Sequence, residues 1–421
     1  MNLPIEGILP PDLQGTLLRI GPGGAERGAL HAIELRDGAA VSYLTGDTSA
    51  DANVAWHAGS VLALAEAGIP EQFSRALVPE EFGAALTVPI ASHVHRDART
   101  GGRVIFGIDE GAETTLLRIG EWDSGGVLTH HMAVTLERAT WQHDIGLTER
   151  HIVFIESPTE PLPAVAGRAG VGTVAGGTVA VPFRWAPGAP GWVGVVARGS
   201  DGSTVRWFRL DPCLVTHVLG AYDEGDSVVL YVCRYEVPEK GQAVNLGASV
   251  VAPDGIGMSL IGGGLPVLER WRISGERLER VQVDERSIEY PRIDPLCEGS
   301  EFRYGYCAAL SATKDQSADR AVDQVGLMRF DLARDEVATW NPGQHLTASE
   351  PLFVRAVDGH SDDEGWLLTV VDDAMRQGSD LYVLDASSFG RQGPQAVIHL
   401  PDAVRLPFRS HGEWVGADRY R

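Results

Sequence analysis

The strongest constraint on this chain is the recurrence of short strand-like runs separated by turn chemistry, with little text of helical period between them. The runs are Arg103 to Ile108, His151 to Ile155, Gly194 to Ala197, Val205 to Leu210, Ser227 to Tyr235, Val325 to Leu332, Trp366 to Val371 and Leu381 to Leu384. Most are rich in Val, Ile, Leu and aromatic residues, and several alternate in polarity, as does Val205-Arg206-Trp207-Phe208-Arg209-Leu210. Asp-Gly pairs at 37–38, 201–202 and 254–255, with the Glu-Gly-Asp run at 224–226, punctuate them. Fifty glycines and 24 prolines fall largely between the runs, where an all-β chain places its turn residues.

No Pro/Ser/Gly linker or shift in composition divides the 421 residues, so residues 1–421 read as a single domain. At 44% hydrophobic the chain has enough apolar matter for a large core. Many short strands over this length suit a β-propeller, whose radial repetition leaves only short, protected sheet edges. No clean sequence repeat is present, and a large sandwich or barrel fits the strand pattern nearly as well.

The formal charge is -22, from 57 acidic and 35 basic residues, a field that repels phosphate backbones and anionic headgroups. No nucleic-acid partner is expected. Cys213, Cys233, Cys297 and Cys307 show no CxxC spacing, and two of them stand in apolar strand-like text as small buried thiols do. The opening residues Met1 to Glu6 lack a basic start and an apolar run, so a cytoplasmic protein is expected. The longest uncharged stretch, Ala169 to Phe183, is glycine-rich and shorter than the roughly 20 residues of a spanning helix. It reads as a mobile loop segment, and no transmembrane anchor is expected.

Several common sites are absent from the text. Gly170-Val171-Gly172-Thr173-Val174-Ala175 imitates a dinucleotide fingerprint, but no strand precedes it, no helix follows it, and no acidic residue stands about 20 positions on. There is no Gly-x-Ser-x-Gly elbow, no His-Glu-x-x-His and no paired-cysteine zinc pattern. Four of the 13 histidines stand in distinctive settings. His93 lies in Ala91-Ser92-His93-Val94-His95-Arg96-Asp97, and His143 in Trp141-Gln142-His143-Asp144-Ile145. His217 ends Asp211-Pro212-Cys213-Leu214-Val215-Thr216-His217, and His411 lies in Arg409-Ser410-His411-Gly412-Glu413-Trp414. A single such histidine is more often a surface or core residue than a ligand. Four of them at strand ends, far apart in sequence, converge only if the strands are arranged radially.

These four segments resemble the signature segments of the carotenoid cleavage oxygenase family. The resemblance runs from Leu13-Gln14-Gly15-Thr16-Leu17-Leu18-Arg19-Ile20-Gly21-Pro22 to the last histidine segment. It implies a seven-bladed β-propeller with short helices and loops capping one face and an iron(II) on the axis, bound by His93, His143, His217 and His411. It further implies that Glu66, Glu289 and Glu350 hydrogen-bond the outer nitrogens of ligand histidines. Four neutral imidazoles would leave the metal its double charge and two open positions, one for molecular oxygen and room for a small apolar alkene. Outer carboxylates would fix the tautomer and orientation of the rings.

His31, His57, His95, His130 and His131 are not assigned as ligands. The chain departs from the family pattern between Pro22 and Gly38, between Tyr43 and Asn53, at Gly220-Ala221-Tyr222-Asp223, and at Arg409-Ser410, all of which bear on the substrate tunnel. The implied reaction is oxidative cleavage of a conjugated alkene to two carbonyl products. Carotenoids and apocarotenoids rank first as substrates, and stilbenes and other phenylpropanoids second. Stilbene-cleaving relatives carry lysine immediately before the glutamate matching Glu66, whereas here the residue is Ala65. A non-catalytic propeller that only binds a partner would account for the strands but not for the histidines and glutamates. A related metal site that isomerises or hydrolyses is a third reading.

Overall fold

The computed structural model describes residues 2–22, 28–81, 89–110, 114–161, 172–174, 178–180, 183–186, 188–236, 265–312, 322–402, 404–406 and 411–420. Seven of the eight expected runs lie wholly in strands, most of them extended by one to three residues, as in Gly191–Ala197 and Gly365–Asp373; the eighth, Val325 to Leu332, overruns its strand Val322–Asp331 by one residue. The fold is a β-propeller of antiparallel sheets that succeed one another along the chain. Among the described residues, four have four strands, one has seven and one has six, with three two-stranded pairs besides.

Alternation along the strands explains why the sheets pack side by side. Leu17 faces a cluster shared with Leu352, Leu368 and Leu381, whereas its neighbour Leu18 faces one shared with Val54 and Val61. Val153 packs with Val228 and Trp271, while Ile152 and Phe154 turn to Phe106 and Leu117. Val228 and Leu230 likewise oppose Val229 and Tyr231, which meet Ile288 and Met328 across the next interface. Each of these strands therefore feeds two cores, as a period of two allows. Each fully buried Leu, Val, Ile or Phe contributes roughly 1.5–3 kcal/mol to holding neighbouring sheets together.

Two devices organise the ring. Arg277–Arg292 is one long strand whose first part pairs with Val267–Ser274 and whose end pairs with Tyr304–Ala312, so it belongs to two sets of strands at once. Gly412–Gly416 pairs with Gly15–Pro22, and Ile5–Gly7 with Ala396–His399, so both ends of the chain are stitched into shared sheets. Gly412 sits where an added Cβ would lie 2.4 Å from Arg19 Cδ, so the closing strand approaches as closely as only glycine permits.

Three expectations change. The helices expected to cap one face reduce, among the described residues, to the single turn Ala417–Tyr420. Within Ala169 to Phe183, Gly172–Val174 and Thr178–Ala180 form a two-stranded pair, and Phe183 begins a strand that pairs with Thr159–Pro161. The remainder of that segment, with Gly24 and Arg409-Ser410, lies outside the described residues. His217 is not at a strand end. It lies inside Leu214–Glu224, at a register shift between Val215 and Val218. Among the described residues, no helix is long and apolar enough to cross a membrane.

Candidate metal centre

Four of the sheets each deliver one histidine to the same place, from an edge strand. His93 precedes His95–Arg96, His143 precedes Ile145–Leu147, and His411 precedes Gly412–Gly416. His217 reaches the same place from its bulge, a device that re-aims a side chain without ending the strand. The partner strand is irregular at the matching point: register shifts between Glu289 and Arg292, and Tyr290 adopts φ 53°. A non-glycine residue at positive φ is uncommon and is held there by its surroundings.

The four imidazoles form one cluster. The His93 ring lies 4.5 Å from that of His143, 4.9 Å from His217 and 4.6 Å from His411. His143 and His217 are 4.8 Å apart, and His217 and His411 are 5.2 Å apart. One ring nitrogen each of His93, His217 and His411 lies within 4.8 Å of the other two. His143 joins through Nε2, which is 3.2 Å from Nε2 of His217.

Three glutamates hold the outer nitrogens. Nδ1 of His143 donates to Glu66 at 2.6 Å, Nδ1 of His217 to Glu289 at 2.5 Å and Nδ1 of His411 to Glu350 at 2.7 Å. Each donation places the proton on Nδ1 and leaves Nε2 as a lone pair. Two lone pairs cannot face each other at 3.2 Å unless a cation, either a proton or a metal ion, lies between them. Two imidazole nitrogens bound about 2.1 Å from one ion at right angles would be about 3.0 Å apart. Nε2 of His93 is buried and has no hydrogen-bond partner. This donor set fits a divalent metal bound by imidazoles.

The glutamates differ in what surrounds them. Glu66 accepts from the indole of Trp141 at 2.7 Å and the hydroxyl of Ser92 at 3.1 Å. Glu289 accepts from the hydroxyls of Thr216 and Tyr235 and from the amide of Tyr290. Burial alone would raise its carboxyl, but His217, Thr216 and the Tyr290 amide bring it down to about 2. Glu350 faces two guanidiniums, Arg292 at 2.7 Å and Arg19 at 3.4 Å, and accepts from the Gly412 amide. Against the cost of burial, Arg292, His411 and Arg19 keep it far below the carboxylate range. Burial and the neighbouring rings of His143, His411 and His217 hold His93 well below its ordinary value, and burial brings His411 to about 4 despite Glu350. Both are neutral near pH 7.

Sequence reasoning passed over much of the second layer. Asp144, Arg292, Glu298 and Glu413 line a cavity of about 140 Å³ beside His93, His217 and His411, together with His95, Arg96 and Arg103. Asp144 and Arg292 each stand next to or near a named site residue, so adjacency to His143 and Glu289 was the available signal. Two aromatic rings pack on the histidines: Trp141 lies 4.8 Å from His143, and Tyr290 lies 5.3 Å from both His217 and His411. Of the unassigned histidines, His31 hydrogen-bonds Tyr43, and His57 stacks on Trp122.

The sequence matches the family described as RPE65, retinal pigment epithelial membrane protein, over residues 31–416. The chain belongs to this family. It is 25% identical to the isoeugenol monooxygenase of Pseudomonas putida, an alignment covering 87% of this chain and 75% of that protein. It is also 25% identical to a carotenoid cleavage oxygenase of Mycobacterium tuberculosis, over 98% of this chain and 94% of the relative. The fold is that of cobalt-substituted Synechocystis ACO, with a TM-score of 0.81 at 21% identity, covering 99% of this chain and 96% of that one. The family is one of oxygenases, and this chain is an enzyme of that kind.

Proposed function

We propose that this family member is an iron(II)-dependent dioxygenase that cleaves a carbon–carbon double bond of a conjugated apolar alkene into two carbonyl products. Residues 1–421 form a single propeller domain, and the seven-stranded sheet counts as two blades sharing Arg277–Arg292, giving seven in all. His93, His143, His217 and His411 are the metal ligands, with Glu66, Glu289 and Glu350 behind three of them. The observation that carries this reading is the set of Nε2 lone pairs converging at the site while carboxylates hold three of the Nδ1 protons.

Iron(II) bound there would supply a place to bind and activate molecular oxygen beside the alkene. The protein's own part is orientation and exclusion. The glutamates keep each ring in the tautomer that points a lone pair inward. Trp141 and Tyr290 offer apolar faces next to the ligands, and the cavity beside them is mixed, with Ile145, Leu147, Leu219 and Phe353 lining it along with the charged or polar His95, Asp144, Arg292 and Glu298.

An apocarotenoid or carotenoid ranks first as substrate. Ala65, half-buried against the cluster containing Leu18 and Val54, presents a methyl group beside Glu66. It can neither donate a hydrogen bond to a phenol nor stabilise a phenolate, a contact that in charge-assisted form is worth roughly 1.5–3 kcal/mol. A phenylpropanoid or stilbene is the second reading, favoured by the likeness to isoeugenol monooxygenase. The test is aerobic turnover of the iron-loaded protein on a long apocarotenal, resveratrol and its 4′-methoxy analogue, with products identified by mass spectrometry. Two carbonyl fragments from the apocarotenal, with little discrimination between the two stilbenes, are expected. A large preference for the free 4′-hydroxyl without apocarotenal cleavage would promote the second reading, and no cleavage of any alkene would overturn the dioxygenase assignment.

A further inference from the structure

We infer that His95 is a positioning residue of the metal centre, which locks together the segments carrying His93, His143 and His217 through a two-carboxylate clamp. The inference rests on the ligand assignment above. Nε2 of His95 lies 2.7 Å from Asp144 Oδ1, and Nδ1 lies 2.6 Å from Glu298 Oε1. With a carboxylate at each ring nitrogen, both nitrogens donate and neither offers a lone pair, so His95 is not itself a ligand despite standing two residues from one.

The connectivity of the clamp is what ties it to the metal centre. Asp144 follows His143 directly, and its two oxygens are both in use: Oδ1 accepts the Ile145 amide at 2.8 Å, and Oδ2 accepts the amide of Val218 at 2.7 Å. Val218 follows His217 directly, at the register shift that aims that ligand inward. One imidazole and one carboxylate therefore join three ligand-bearing segments from three different sheets. Glu298 closes the other side, accepting the Arg96 amide at 3.1 Å, and the neighbouring Gly299 pairs with Thr148.

His93 is where this restraint matters most. His143, His217 and His411 each have a glutamate to set the ring, but the hydrogen bonds among the described residues include no carboxylate for His93. The position of its segment is instead fixed two residues on, at His95. The His95 and Asp144 side chains are only 13% and 4% exposed, so their charge-assisted hydrogen bond is poorly screened and holds a defined geometry.

The test compares wild type with His95→Gln, His95→Lys and Glu298→Gln, reading iron affinity by chelator competition, the EPR spectrum of the ferrous nitrosyl adduct, and the melting temperature of the metal-free protein. Glutamine cannot serve both carboxylates, so iron affinity should fall by about 10–100-fold, the range for groups that orient metal ligands, with a changed nitrosyl spectrum in the folded protein. Lysine restores a cation with several donors and should return affinity to within about tenfold of wild type. Glu298→Gln keeps Asp144 in place and should show the same change at the lower end of that range; it stands in for His95→Gln should that protein not fold. A purely structural role would lower melting temperatures while leaving affinity and spectrum of the folded protein unchanged, and that result overturns the inference. Failure of wild type to bind iron at all would instead sink the ligand assignment.

Discussion

Replacing Glu350 by glutamine keeps the side chain's shape and removes one negative charge from a site with no exposed surface. The carboxylate faces the guanidiniums of Arg19 and Arg292, the Nδ1 proton of His411 and the Gly412 amide. Removing one partner of a buried ion pair costs about 3–5 kcal/mol, because the remaining charge stays out of water. Arg292 is a third exposed and screened, so Arg19, at 1%, carries most of the effect, and about 3 kcal/mol is the expected loss. Glu66→Gln is the control. Its partners are an indole, a hydroxyl and the His143 ring, so it strands no buried guanidinium and should cost about 1 kcal/mol in the metal-free protein. Both variants should weaken iron binding by about 10–100-fold. Urea unfolding of the metal-free proteins, side by side, separates the two effects. Equal midpoints for the two variants, or a loss below about 1 kcal/mol for Glu350→Gln, would refute the argument that Glu350 is first a counter-ion and second a ring holder.

The native protein should bind about one iron per chain, and alanine at His93, His143, His217 or His411 should abolish turnover; full activity of His217→Ala, measured with matched iron content, would remove it from the ligand set. Acid should release the metal, because protons compete for imidazole lone pairs whose ordinary pKa is about 6.5, and iron retained through gel filtration at pH 4 would contradict this. Glu156 is buried, its Oε1 has no hydrogen-bond partner, and burial raises its carboxyl to about 7. A raised folded-state value means that its contribution is fully favourable below the unfolded value near 4.5 and is lost as pH rises through about 7. Glu156→Gln should therefore flatten the fall in stability between those limits and stabilise the protein at pH 8 by up to about 3 kcal/mol, read as the pH dependence of the urea midpoint.

Much of the fold was legible because its cause is local. Alternating apolar residues in Val205–Leu210 suit a strand with one buried face, the continuous apolar run Ser227–Tyr235 suits one buried on both, and Asp-Gly pairs mark where the chain turns. What local pattern cannot supply is which face meets which neighbour, so a sandwich or barrel remained open until Leu17 and Leu18 were seen to face two different sheets. The short runs also hid Arg277–Arg292, whose charged first half reads as polar text because it is paired on one side and half in solvent on the other.

The sequence by itself determined which groups are available for chemistry: four histidine segments, three glutamates and an alanine where stilbene-cleaving relatives place lysine. It carried this information because ligand chemistry depends on residue type, and the resemblance supplied the order. Only the tertiary structure decided how these groups meet. The glutamate serving His217 is 72 residues away, and the one serving His411 is 61 away. Glu298 reaches His95 across 203 positions. Such distances depend on the closure of the whole ring of sheets and on two irregularities of pairing, at Val215–Val218 and at Glu289–Arg292, that bring His217 and Glu289 together. A bulge arises from the competition between pairing and packing across several strands, and no window of neighbouring residues contains all the participants.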